Sequence, residues 1–177
     1  MRRTLPVAAL VLLAPLVGSC GWHESVDRPQ SLCGTPVGAE LSGLLPGPRK
    51  ISERTSAGFR EPGASWCIVS AGDEKTLSLW FARGGAAPDL MELARNSGVV
   101  GLVAPRPVQG IGQQAAVGRD GALATTRCRD AAGGTHFTLG IKFHRGAATT
   151  ANRERDVERF MRAYMPATVK SLNCLPR

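Results

Sequence analysis

Five cysteines are the residues of this chain with the most distinctive potential chemistry. Cys20 lies directly after an N-terminal apolar run, and Cys33, Cys67, Cys128 and Cys174 are spread through the rest of the chain. An even number of cysteines in an exported chain indicates disulfides, whereas a zinc site normally shows a C-x-x-C spacing that these four lack. Four cysteines allow three pairings, of which we predict Cys33–Cys67 with Cys128–Cys174, one disulfide in each half of the chain. We predict no metal site.

Residues 1–19 have the organisation of a secretory signal peptide. Arg2 and Arg3 form a short positive region, and an uncharged apolar stretch follows them. This stretch is shorter than the ~20 residues of a membrane-spanning helix, and no later stretch is long and apolar enough either. The arginine pair leaves twin-arginine export as an alternative to ordinary secretion, which we favour.

The end of this signal, Val17-Gly18-Ser19-Cys20, resembles a bacterial lipobox, which has an aliphatic residue, two small residues and a cysteine. In lipoproteins with this motif the cysteine thiol receives a diacylglyceryl group, and a peptidase cuts directly before it. The resemblance implies an acylated, palmitate-bearing Cys20 that anchors the chain at the extracytoplasmic face of the cell membrane. Residues 20–32 would form a tether of at most about 40 Å. The alternative is a plain secreted protein with an incidental cysteine.

The other side chains that could act in catalysis show no arrangement typical of an enzyme. His136 and His144 share a predicted strand face but lie about 26 Å apart at ~3.3 Å per residue, and His23 lies in the tether. Asp120 occupies a predicted hairpin tip, where aspartate is common for conformational reasons. Nucleophile-elbow, zinc-protease and phosphate-loop motifs are absent. The sequence therefore predicts no catalytic residues, no cofactor and no enzyme activity.

The chain is basic, with a formal net charge of +8, and loss of Arg2 and Arg3 with the signal would leave about +6. Aromatic residues make up only 5% and do not alternate with basic ones, which argues against nucleic acid as a partner. The positive charge is compatible with binding to an anionic lipid or envelope polymer. The alternative is that the charge only keeps the protein soluble. The arginine-, alanine- and glycine-rich composition is typical of actinobacteria.

A basic face is the other charged feature. Arg155, Arg159 and Arg162 fall on one side of the predicted last helix. One interpretation is a surface for an anionic envelope polymer or lipid. The alternative, which we favour, is a solvated face balanced by neighbouring acids, since Glu158 and Arg162 have the i,i+4 spacing of a stabilising ion pair.

Three helices are predicted from caps and apolar spacing. The first begins at an N-cap, Thr35, and stops before a Pro-Gly pair. The second covers residues 87–98, with a proline near its start and a glycine at its end. The third is capped by Asn152, and Pro166 should kink or end it. Its apolar stripe consists of Val157, Phe160, Met161 and Tyr164.

Strands are predicted where apolar and polar residues alternate. Residues 65–72 and 75–82 form one hairpin, and residues 113–128 form another around a Gly-Arg-Asp-Gly turn. The proline- and glycine-rich residues 101–113 are incompatible with a helix or a central strand. Residues 136–144 form the last strand, with one apolar face and one wet or lightly covered face. The side chains of that second face are His136, Thr138, Lys142 and His144.

This order of elements predicts an α+β fold, in which residues 33–177 form a single domain with helices packed on an antiparallel sheet. The stretches "CGTPVGAELSGLLPG" and "SWCIVS", the second hairpin and a final helix ending in Cys174 resemble small actinobacterial, Streptomyces-like lipoproteins of unassigned function. Some of these have a PsbP/Mog1-like domain. The resemblance implies an α/β/α sandwich-like fold and says little about activity.

The sequence thus predicts a membrane-anchored extracytoplasmic lipoprotein that acts as a binding or interaction module. Its expected partners are the membrane, through the lipid on Cys20, and an anionic envelope polymer or another envelope protein. The alternatives are an envelope enzyme whose site is not visible in the sequence and a purely structural surface protein. A pocket that holds His136 or His144 with a carboxylate would favour the enzyme, and the lack of a pocket would favour the structural protein.

Overall fold

The computed structural model describes residues 29–45, 50–56, 63–129, 133–144, 153–172 and 174. The predicted signal peptide, most of the tether with Cys20, and the predicted helix cap Asn152 lie outside these residues. In the part of the chain that is described, no helix combines the length and the apolar character needed to cross a membrane.

The described chain begins with a small hairpin, so the predicted start of the first helix is wrong. Strand β1 (Ser31–Leu32) pairs antiparallel with β2 (Thr35–Pro36), and α1 spans only Ala39–Ser42. Thr35 is fully buried in β2, where its hydroxyl lies 3.2 Å from that of Thr168. Tertiary burial of Thr35 thus overrides its capping tendency, and a glycine on each side of α1 keeps the helix short.

Seven further strands form one antiparallel sheet. The sheet consists of two meanders, one of three strands and one of four. The last strand of the first meander pairs with the last strand of the second, so the two meanders join in the middle of the sheet. The sheet order is β3-β4-β5-β9-β8-β7-β6, with strands at β3 (Ile51–Thr55), β4 (Ala64–Ala71), β5 (Glu74–Gly84), β6 (Arg106–Val108), β7 (Gln114–Val117), β8 (Gly121–Arg127) and β9 (His136–Phe143).

The two edge strands of this sheet were not predicted. Strand β3 is exposed along almost its whole length, so its sequence lacks the alternation that marks a half-buried strand. Strand β6 contains Pro107, which is tolerated at an edge because no neighbouring strand needs its missing N–H. The predicted hairpins and the last strand are all present. The apolar side chains of β9 are buried in the core as predicted, but Thr138 on the opposite face is buried as well.

One face of the sheet is covered by the long helix α3 (Arg153–Ser171). Phe160 packs edge-on against Phe143 with ring centroids 5.5 Å apart, and it stacks on Tyr164 at 5.1 Å. The Tyr164 hydroxyl donates a 2.7 Å hydrogen bond to the Leu32 carbonyl, which ties the first hairpin to the helix. The predicted apolar stripe is confirmed, since all four side chains are buried: Val157, Phe160, Met161 and Tyr164.

Pro166 does not end α3, which continues to Ser171. Met165 and Thr168, on either side of the proline, are buried against the core. Tertiary packing therefore compensates for the backbone hydrogen bond that a proline inside a helix removes.

The other face of the sheet carries α2 (Leu90–Asn96), which packs over β7 and β8. Its N-cap Asp89 accepts hydrogen bonds from the backbone N–H groups of Met91 and Glu92, both at 3.0 Å. Its buried Leu90 contacts a second apolar cluster that includes Leu123 of β8. Helices thus pack on both faces of the sheet, as predicted. No described helix covers β4, β5 and β9 on this second face.

Both predicted disulfides are present. Cys33–Cys67 joins the first hairpin to β4, with Cα atoms 6.0 Å apart. Cys128–Cys174 joins the end of β8 to the chain that follows α3, with Cα atoms 4.8 Å apart. Each disulfide therefore fixes a terminal segment of the domain to the sheet.

Candidate functional site

A cavity of about 280 Å³ lies on the sheet face that α2 covers only in part. Strands β4, β5 and β9 form its floor, and the segment after α2 forms a side wall. This volume is close to the lower end of the range for small-molecule pockets, about 300 Å³. The side chains that line it include Trp66, Lys75, Ser78, Trp80, Val99, Val100 and Lys142.

Two tryptophans give the cavity its apolar surface. Trp66 on β4 and Trp80 on β5 lie directly opposite each other in the strand register, and Trp66 remains 42% exposed. Gly140 on β9 lies opposite Trp80. A Cβ atom at Gly140 would lie 3.1 Å from Cγ1 of Val100 and 3.4 Å from the Trp80 ring. The missing side chain therefore lets Val100 and the indole approach the strand.

The side wall, Val99 and Val100, belongs to a segment that is fixed to the sheet at two points. The Lys142 ammonium donates a 2.8 Å hydrogen bond to the Gly101 carbonyl. The Asp120 carboxylate accepts a 2.8 Å hydrogen bond from the Val103 N–H. These two groups come from β9 and from the turn between β7 and β8. The sheet therefore fixes the position of the segment that forms the wall.

The opposite end of the cavity is polar. Ser78 on β5 is the register partner of Lys142 on β9, and its hydroxyl oxygen lies 2.8 Å from Nε2 of His144. Burial lowers the pKa of His144, and the positive charges of Lys75 and Lys142 lower it further, against a smaller opposing effect of Asp120. The imidazole is therefore neutral at neutral pH and can accept a hydrogen bond from the serine.

The Ser78–His144 contact has the distance of a nucleophile and its general base. In serine hydrolases a carboxylate also orients the second ring nitrogen of the histidine. No carboxylate of the described residues hydrogen-bonds to His144. Asp120 instead accepts a hydrogen bond from the Val103 N–H and lies 3.6 Å from the Lys142 ammonium. This arrangement suits polar recognition better than acyl transfer.

His136 and the cysteines, which the sequence singled out, lie outside the cavity. His136 begins β9, at the other end of the strand from His144, and its Nδ1 lies 2.9 Å from the Thr135 hydroxyl. Cys33 and Cys67 lie within 4.8 Å of a Glu53 carboxylate oxygen, a spacing that could suit a metal. Since both sulfurs form a disulfide, neither is available as a thiolate ligand.

The predicted basic face lies on α3, on the far side of the sheet from the cavity. Arg159 pairs with Asp156 at 3.2 Å, and Arg162 pairs with Glu158 at 2.7 Å, the spacing expected from the sequence. The hydrogen bond from Arg162 is the main reason that the pKa of Glu158 is lowered. Arg155 is exposed on the same helix. Acids of α3 thus balance much of this charge.

Four residues of the cavity were not predicted as site residues: Trp66, Trp80, Ser78 and Lys75. For the two tryptophans, a signal is present in the sequence. In both strands the buried side chains alternate with those of the second face, and the tryptophans occupy positions of that second face. Trp66 and Trp80 are thus large aromatic residues where alternation calls for polar ones. The lightly covered face predicted for β9 does contain Lys142, with His144 directly after the strand.

Comparison with protein-family models, with curated proteins and with solved structures finds no match to this chain.

The cavity brings together two indoles, two ammonium groups, a hydroxyl and, behind the hydroxyl, an imidazole. Such a set can bind a small molecule through ring contacts and charge, without a covalent step.

Proposed function

We propose that this protein is a membrane-anchored extracytoplasmic lipoprotein whose domain binds a small amphipathic molecule. The observation that carries the binding role is the pair Trp66 and Trp80, side by side on a sheet face with a cavity above it. Aromatic rings offer a large contact area at low entropic cost. The flat or apolar part of the ligand would lie on the indoles, and its polar part would point toward Ser78 and the lysines.

The anchor is supported by the cysteines. The other four cysteines of the sequence pair with one another, so none of them competes with a lipid for the Cys20 thiol. Two disulfides are typical of proteins in an oxidising compartment outside the cytoplasm. Together with the lipobox-like residues 17–20, these features favour attachment at the outer side of the cell membrane.

Intact mass spectrometry of protein extracted from membranes tests the anchor. We expect the mass of residues 20–177 with an added diacylglyceryl group, and a gain of about four hydrogen atoms on reduction of the two disulfides. A Cys20→Ser variant should lack the lipid. A wild-type chain that starts elsewhere and carries no lipid would contradict the anchor, while leaving the binding role to its own test.

Substitution Trp66→Ala tests the binding role. The probe is the neutral fluorophore N-phenyl-1-naphthylamine, titrated into the purified protein. We expect wild-type protein to bind it and Trp66→Ala to weaken binding about tenfold, or roughly 1.4 kcal/mol, because the exposed ring surface is lost. The matched control is Val103→Ala, which removes another exposed apolar side chain that does not line the cavity and should leave affinity unchanged.

Three results would contradict this proposal. Absence of probe binding to the wild type would remove the evidence for an apolar site. Equal loss of affinity in Trp66→Ala and Val103→Ala would place the probe elsewhere on the surface. Hydrolysis of 1-naphthyl acetate that Ser78→Ala abolishes would show an acyl-transfer enzyme instead of a binding module.

A further inference from the structure

The polar end of the cavity carries more positive than negative charge. Lys75 and Lys142 both line it, and no acidic side chain does. Asp120 lies 3.6 Å from the Lys142 ammonium and partly balances that charge. Lys75 is exposed and forms no salt bridge with the residues that the structure describes. One of the two ammonium groups is therefore available to a bound anion.

His144 faces charged groups from several elements. Lys75 on β5 and Lys142 on β9 disfavour its protonation, and Asp120, in the turn between β7 and β8, favours it slightly. Arg153 of α3 donates a 2.9 Å hydrogen bond to the backbone carbonyl of His144 and so adds a positive charge on that side. An anion bound near the two lysines would offset this positive field and make protonation of the imidazole easier.

The hydrogen bond between Ser78 and His144 connects protonation to the cavity. A neutral imidazole can accept a hydrogen bond from the Ser78 hydroxyl, and the hydroxyl hydrogen is then not available to a ligand. Once both ring nitrogens carry protons, the imidazolium can only donate, so Nε2–H points to the serine oxygen. The Ser78 O–H must then find another acceptor, and an anion in the cavity would provide one.

We propose that this end of the cavity is a subsite for an anionic group, formed by Lys75, Lys142 and Ser78, and that anion binding is coupled to proton uptake by His144. The ligand class is a small flat or aromatic molecule that bears a carboxylate, sulfonate or phosphoryl group. This inference rests on the proposed function, because the ring of the ligand would occupy the surface formed by Trp66 and Trp80. Affinity for an anion should therefore increase as the pH falls.

A matched pair of probes separates the anionic group from the ring. The probe 8-anilinonaphthalene-1-sulfonate has the rings of N-phenyl-1-naphthylamine plus a sulfonate that stays ionised throughout the pH range of the test. We expect Lys75→Gln to weaken binding of the sulfonate about fivefold or more, and to leave the neutral probe unaffected. The control is Lys170→Gln, since Lys170 is exposed on α3 beyond the other face of the sheet.

A pH series tests the coupling to His144. Between about pH 8 and about pH 5.5, affinity of the wild type for the sulfonate should rise several-fold, with proton uptake measurable by calorimetry in buffers of different ionisation enthalpy. The neutral probe should show no such rise. In His144→Gln, whose amide cannot take up a proton, the rise should disappear, and thermal melts would verify that this variant and a second one, His144→Asn, are folded.

The outcomes distinguish this inference from the proposed function. Equal loss of sulfonate binding in Lys75→Gln and Lys170→Gln would show that the sulfonate responds to the net charge of the protein and not to Lys75 itself. That result would overturn the subsite. A pH dependence that persists in folded His144 variants would overturn the coupling. In either case, neutral-probe binding that depends on Trp66 would keep the proposed function intact, whereas failure of both probes to bind the wild type would remove both proposals.

Discussion

Substitution Phe160→Ala is expected to lower the free energy of unfolding by about 3 to 5 kcal/mol and to leave probe binding at the cavity unchanged. Phe160 is fully buried in α3, and its ring lies between Phe143 and Tyr164. Removal of the ring loses its buried apolar area and leaves a hole that the surrounding aromatic side chains fill only partly. Urea denaturation measures the loss, and titration with N-phenyl-1-naphthylamine in buffer measures binding.

Binding should survive because Phe160 and the cavity are on opposite faces of the sheet. Successive side chains of a strand alternate between faces, so β5 directs Leu79 toward α3 and Trp80 toward the cavity. The matched control is Arg159→Ala, an exposed neighbour on α3 that should change stability by less than about 1 kcal/mol. Loss of probe binding in folded Phe160→Ala would contradict this independence and show that α3 packing shapes the cavity.

This division of the sheet explains which parts of the fold the sequence could predict. Strands β5 and β9 bury one face in the core cluster that also contains the buried side of α3, so their apolar residues alternate and can be recognised locally. The same holds for the stripe of α3, whose spacing matches a helix with one buried side. Strand β3 buries almost nothing, and the start of the first helix depends on the distant contact of Thr35 with Thr168. Neither feature has a local signal.

The candidate site was hidden for a related reason. Its parts come together only through strand pairing, which places Trp80 between Trp66 on one neighbouring strand and Gly140 on the other. The contact between Ser78 and His144 depends likewise on the pairing of β5 with β9, two strands far apart in the chain. The sequence shows the residue types, the face of each strand and the hairpin of β4 with β5, but it does not show that β9 pairs with β5.

The disulfides were predictable because two of the four cysteines lie in each half of the chain, and pairing within each half joins nearby segments. Their energetic role follows from the same positions. A crosslink stabilises a protein largely because it restricts the unfolded chain, and the restriction grows slowly with the length of the closed loop. The sequence separations of 34 and 46 residues are similar, so the two disulfides should contribute similar amounts.

Removal of either disulfide is expected to lower the free energy of unfolding by about 3 to 4 kcal/mol. Paired alanine substitutions are the better test, because Cys33, Cys67 and Cys128 are buried and serine would add the cost of a buried hydroxyl. Urea denaturation of each double variant, with and without reductant, measures the two contributions separately. Reductant should lower the free energy of unfolding of each double variant by the contribution of the disulfide that it retains. A variant in which all four cysteines are replaced by alanine should be unaffected by reductant.

The two disulfides should differ in where the structure opens first. Without the disulfide between Cys128 and Cys174, the end of α3 loses its link to the end of β8, so amide exchange should accelerate around Ser171. Without the one between Cys33 and Cys67, the hairpin of β1 and β2 should exchange faster instead. If reductant left the unfolding midpoint of the wild type unchanged, chain restriction would contribute nothing, and the packing of α3 would account for the stability of both ends.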